Sequence, residues 1–188
     1  FSVLVLLSGM LSLLILLPFT FIQFFYEPWL EAQARARAPR ELPKNIRDHV
    51  VITHYNPVSR ALMKKLDQYN YEYVLLVSDL NKALEYYDEG YKVVYGDLDD
   101  PETYKKLRVD QASMVVALGT DMVNSNIGNT VRELDEDVTI VATANSADSI
   151  DLLKMAGCNH VIRMGDLMGR SLSRRTIGQD SRVHVIGR

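Results

Sequence analysis

From His49 onward the chain alternates between two hydrophobic periodicities. Short apolar runs read as strands buried on both faces: His49 to Ile52, Tyr73 to Val77, Lys92 to Tyr95, Ser113 to Leu118, Val138 to Ala142 and His160 to Arg163. Each precedes a segment of helical period, and these cover Val58 to Tyr69, Leu80 to Tyr87, Pro101 to Leu107, Met122 to Leu134, Ala147 to Met155 and Leu167 to Arg175. Six such units predict an α/β domain over 49–175, a parallel six-stranded sheet with helices on both faces. Residues 176–188 read as the start of a following segment, with Arg182-Val-His-Val-Ile186 patterned as a strand.

The first 26 residues follow neither pattern. Phe1 to Tyr26 carries no charged side chain and is long enough to cross ~30 Å of hydrocarbon as a helix, so one transmembrane helix is expected over 1–26. A signal peptide would show a basic leader and a small-residue cleavage site, and a buried core helix is rarely apolar all round for so long. The chain begins at Phe1 rather than Met, as a fragment or processed chain does. Gly9 and Pro18 lie within the span and are candidate hinge positions, with close helix contact as the alternative for glycine. Tyr26 and Trp29 follow at the expected interface.

Residues 27–48 shift to charge, alanine and proline and form a linker, with Glu31 to Ala38 able to extend the helix until Pro39 and Pro43 break it. Arg35, Arg37, Arg40, Lys44 and Arg47 lie close behind the membrane span, which places this side in the cytoplasm and the chain in the cell membrane. The formal net charge is −3, so nothing favours a nucleic-acid partner. Cys158 is the single cysteine and excludes an intrachain disulfide; at the end of a helix it reads as a small buried hydrophobe.

Candidate chemistry centres on the turn after the first strand. A Rossmann-like fold usually places G-x-G-x-x-G there, because residues without side chains let backbone N–H groups close on a pyrophosphate. Here the turn is Thr53-His54-Tyr55-Asn56-Pro57-Val58-Ser59, with no glycine. Asn56 is placed to cap the next helix with Pro57 at its first position, leaving Ser59 and Arg60 near a positive helix end. His54 is the one candidate acid or base, and a structural histidine is the other reading. Asp79 follows the second strand as a ribose acid or a helix cap. Asp97, after Gly96 and the third strand, is a further candidate, with a plain turn and a helix-capping acid before Pro101 as the other reading.

Val50-Val-Ile52, Gly90-Tyr-Lys-Val-Val-Tyr-Gly-Asp97 with Pro101, Ala117-Leu-Gly-Thr-Asp121-Met-Val-Asn124, Lys154-Met-Ala-Gly157-Cys-Asn-His-Val-Ile162 and Met168-Gly-Arg-Ser-Leu172 together resemble the RCK domain, also called KTN or TrkA-N. The resemblance spans His49 to Arg175. It implies the N-terminal lobe of a module that regulates potassium channels and transporters, preceded by a pore-lining inner helix. It further implies potassium as the transported ion, a homotetramer with a cytoplasmic ring of such domains, and ligand gating of the pore. No T-V-G-Y-G loop occurs, so potassium selectivity comes from the resemblance alone.

The resemblance leaves a nucleotide (NAD or ADP) or calcium open as ligands of the wider gating ring, while the glycine-free turn argues against a nucleotide in this lobe. Thr143 and Asn145 stand where calcium-binding members carry acids, so no metal site is expected there. Two alternatives share the fold: a membrane-tethered regulatory subunit of a potassium transporter, and an NAD-dependent oxidoreductase. Against the enzyme stand the lack of any Tyr-x-x-x-Lys and of a second, substrate-binding domain.

Overall fold

The computed structural model describes residues 2–26, 29, 30, 33 and 37–183, which divide into two compact units, Phe1–Ala38 and Pro39–Arg188. In the first, helix α1 spans Ser2–Phe21 and passes into a π-helical turn, Ile22–Tyr26. Pro18 sits inside α1, where its ring removes one backbone hydrogen bond, and the change of winding follows within a turn. The stretch Leu7–Phe24 is long and apolar enough to span a bilayer, with none of it buried. The helical extension expected over Glu31 to Ala38 falls largely outside the described residues.

The second unit contains six strands: β1 His49–Ile52, β2 Tyr73–Val77, β3 Val93–Tyr95, β4 Ala112–Ala117, β5 Thr139–Ala144 and β6 His160–Arg163. All neighbours are parallel and the order is β3-β2-β1-β4-β5-β6, so the winding reverses between β1 and β4. The connecting helices are α2 Pro57–Gln68, α3 Leu80–Asp88, α4 Pro101–Lys106, α5 Asp121–Arg132 and α6 Ser149–Met155.

Successive side chains of each strand point to opposite faces and build two cores. On one face Val51, Val74, Leu76 and Val115 pack with Tyr104 of α4, Ile127 and Val131 of α5, and Leu153 of α6. On the other, Val50, Ile52, Leu75 and Val77 pack with Met63 of α2 and Ala83 of α3. Each fully buried aliphatic side chain contributes roughly 1.5–3 kcal/mol. Apolar residues at every strand position are what a sheet covered on both faces requires.

The expected elements recur with ends shifted by one or two residues, and two features differ. A short 3-10 turn, Val109–Gln111, leads into β4 after Arg108, whose φ of 53° is left-handed. At the other end, helix α7 is described over Met164–Val183, so Arg182 and Val183 are helical where a strand is expected to open. A strand needs a neighbour for its N–H and C=O groups, whereas a helix satisfies them internally. His184 to Ile186 of that expected strand lie outside the described residues.

Candidate functional site

The turn between β1 and α2 satisfies its own helix end. The Asn56 side-chain oxygen accepts from Val58 N at 3.0 Å and Ser59 N at 2.9 Å. Ser59 Oγ in turn accepts from Asn56 N at 2.7 Å, which completes a reciprocal capping box with Pro57 at the first helical position. Asn56 Nδ2 also donates to Leu118 O at 3.3 Å, fastening this turn to the end of β4. The N–H groups that would meet a phosphate are therefore already used, and Ser59 is fully buried.

Across the switch point lies the turn between β4 and α5, where a glycine does fill a crowded position. A Cβ on Gly119 would stand 2.6 Å from His54 Cε1 and 3.2 Å from Asn124 Oδ1. The imidazole of His54 thus rests against Gly119, with Nδ1 3.0 Å from Thr53 Oγ1, and burial pulls its pKa below the ordinary value. Asn124 is completely buried; its oxygen accepts from Gly119 N at 2.8 Å, and its amide donates to Gly119 O at 3.2 Å and Thr143 O at 2.8 Å. One side chain thereby locks the ends of β4 and β5 together.

Two recesses open at the carboxyl ends of the strands. One, of about 160 Å³, is lined by residues that include His54, Tyr55, Ser78, Asp79, Lys82 and Tyr86. The other, of about 220 Å³, is lined by Ser78, Asp97, Leu98, Asp99, Val123 and Asn126. Each is smaller than the ~300–1,000 Å³ of common ligand pockets, but shared Ser78 and Leu98 make them one crevice. Asp79 caps α3, accepting from Lys82 N at 2.9 Å, while its position keeps it on the crevice wall. Gly96 precedes Asp97 of the crevice wall, and a Cβ on it would stand 2.6 Å from Thr103 Cγ2.

His54, Asp79 and Asp97 thus share this crevice, Asn56 and Ser59 close the helix end beside it, and Arg60 is exposed on α2. Gly9 and Pro18 belong to the other unit. Thr143 and Asn145 are engaged locally: Thr143 O holds Asn124, and Asn145 N donates to Asp121 Oδ1 at 2.8 Å. A hydrogen bond from Ser149, then those from Asn145 and Ser146, hold the Asp121 carboxyl below its usual range.

Sequence reasoning missed an aromatic cluster. Tyr55 stacks on Tyr86 at a centroid distance of 4.2 Å, meets Tyr91 edge-on at 5.4 Å, and joins its hydroxyl to that of Tyr91 at 3.1 Å. Tyr55 belongs to the glycine-free turn, and its ring packs against Tyr86 of α3. The tyrosines are 36 residues apart or fewer, yet they lie on a loop, a helix and a strand approach, so no periodicity links them. Cys158 is buried, as expected for a small apolar residue, and burial pushes its thiol pKa up.

The TrkA-N domain family matches the chain over residues 50–164. The chain is 27% identical over 146 residues to the Probable potassium channel protein 2 of Methanocaldococcus jannaschii, covering 74% of this chain and 42% of that protein. Among solved structures it resembles the GsuK channel bound to NAD, with 35% identity, a TM-score of 0.69, and coverage of 91% of this chain and 31% of the other. It equally resembles GsuK bound to ADP, at 35% identity and TM-score 0.69, covering 93% of this chain and 46% of the other. The chain spans less than half the length of the curated relatives it matches.

Proposed function

The chain belongs to the TrkA-N domain family, whose matched relatives here are potassium channel proteins, and on that premise we propose that it is the pore-lining helix and first regulatory lobe of a ligand-gated potassium channel. The observation that carries this reading is the pairing, in one chain, of an apolar helix of membrane-spanning length with a TrkA-N domain. Alignment with the GsuK structure covers 93% of the chain and so extends into that helix.

In this reading α1 lines the pore of a homotetramer and the soluble lobes form a cytoplasmic ring, since cyclic symmetry suits a central conduit. Expansion of the ring pulls on the segment between Tyr26 and β1, and the pore opens by bending near Gly9 or Pro18. Potassium is the conducted ion. Gly9→Ala and Pro18→Ala, each in the full channel in planar bilayers, are expected to change open probability. Unchanged single-channel records from both would refute a hinge in α1. A flexible Gly-Ser insertion after Arg40 is expected to abolish the ligand response and spare basal conduction.

Relatives bound to NAD and ADP make a nucleotide the ligand to test. The first turn of this chain does not fit a dinucleotide in the ordinary way. Asn56 already occupies the N–H groups of Val58 and Ser59, Pro57 has none, and the His54 and Tyr55 side chains fill the approach. In this reading the gating ligand binds elsewhere in the ring and this lobe relays the motion. Calorimetry of the full chain with NAD, NADH, ADP and ATP is expected to show no binding tighter than about 10 µM, or roughly −7 kcal/mol.

A further inference from the structure

The residues just before β1 are strapped onto the domain by a series of backbone hydrogen bonds. Tyr95 N donates to Pro39 O at 2.8 Å, Leu42 N to Lys106 O at 3.2 Å, and Asp48 N to Gln111 O at 2.8 Å. Arg108 reaches back from its left-handed position, its guanidinium donating to Lys44 O and, at 3.3 Å, to Ile46 O. Leu42 packs into the core beneath. These bonds fix Lys44 beside the last turn of α4.

The outcome is an open groove of about 430 Å³ lined by Glu41, Leu42, Lys44, Lys105, Lys106 and Arg108. Four cations face one acid there, in a chain whose formal net charge is −3. Lys105 is paired with Glu102, whereas the exposed side chains of Lys44 and Lys106 have no ion pair among the described residues. A cluster of like charges is self-repulsive unless an anion joins it. Lys44 follows Tyr26 by 18 residues, within the stretch of sequence behind a membrane span in which basic residues count toward the cytoplasmic side. Basic clusters on the cytoplasmic side of a membrane helix meet a surface rich in anionic headgroups.

We infer that this groove, built where the strap crosses α4, binds the phosphate headgroup of an anionic phospholipid from the cytoplasmic leaflet, so that lipid charge sets the tension in the connection to α1. The inference rests on the membrane reading of α1, and it is testable without a bilayer, so the two can fail separately.

The test is thermal unfolding of the full chain in a neutral detergent, followed by far-UV circular dichroism. The additions, at matched concentration, are dioctanoyl phosphatidylglycerol, dioctanoyl phosphatidylcholine and inorganic phosphate. The anionic phosphatidylglycerol alone is expected to raise the midpoint, and high salt to abolish the rise. Lys44→Gln with Lys106→Gln is expected to weaken binding roughly fivefold per lysine. Glu41→Gln is expected to strengthen it, a sign that misfolding cannot imitate. An equal rise with phosphatidylcholine, a rise retained by the double variant, or an equal rise with inorganic phosphate would each overturn the proposal. Alkaline extraction of membranes checks the insertion of α1 independently.

Discussion

The turns after β1 and β4 face each other across the point where the sheet winding reverses, and they solve the same crowding in opposite ways. After β1, side chains fill the space: Asn56 and Ser59 cap the helix, Tyr55 stacks on Tyr86, and His54 reaches across to Gly119. After β4, a glycine yields the space, because the His54 ring already occupies it. The need for a missing side chain has moved one strand over. A glycine requirement thus belongs to a volume shared by two loops, and a motif search confined to one loop mistakes the displacement for a loss.

The largest test of this contrast is Asn124→Ala. It leaves the part-buried Gly119 N–H and Thr143 C=O without their partner, and the expected loss is roughly 1–3 kcal/mol, seen as a fall of several degrees in midpoint. Gly119→Ala comes next, at about 1–3 kcal/mol, because its Cβ would stand 2.6 Å from the His54 ring. Adding His54→Ala should recover at least ~1 kcal/mol of that cost in a double-mutant cycle by urea denaturation. Strict additivity would break the shared-volume argument. Asn56→Ala removes the cap and is expected to cost ~1 kcal/mol, with Asn56→Gly costing only a few tenths.

Acid sensitivity is the smallest effect. Burial lowers the pKa of His54 and of His49, so each binds a proton more weakly in the folded chain than at the ordinary value of 6.5. Their stabilising contribution is fully present above that value and is lost as pH falls from it toward the lower folded values. Between about pH 7 and about pH 6 the loss is no more than ~0.7 kcal/mol per histidine, and His54→Gln should remove one share of it. A urea midpoint that stays level over that interval would show that neither imidazole resists protonation in the fold.

Much of this was legible in the sequence because it is local. Strand runs, helix periods and the Asn56-Pro57 cap depend on residues within a turn of one another, and Asp79 proves to be the helix cap that was one of its two readings. The contacts that shape the crevice are not local. His54 meets Gly119, Asn124 meets Thr143, and Tyr55 meets Tyr91, each pair joined only by the strand order. The Val109–Gln111 turn is too short for any period to register. The alternation that begins at Arg182 and Val183 looked like a strand because a pattern cannot report whether a neighbouring strand is there to pair with it.

The strand order also has a consequence in time. β1 pairs on one side with β2, which follows it closely, and on the other with β4, where His49 faces Ala112 and Ile52 faces Val116. At a synthesis rate of about 5–20 residues per second, β4 is made roughly 3–13 seconds after β1. During those seconds the most buried strand of the finished sheet is an edge, apolar on both faces and open to pairing with whatever strand arrives first. Until its own β4 arrives, the nascent lobe is exposed to mispairing with its neighbours on the same polysome.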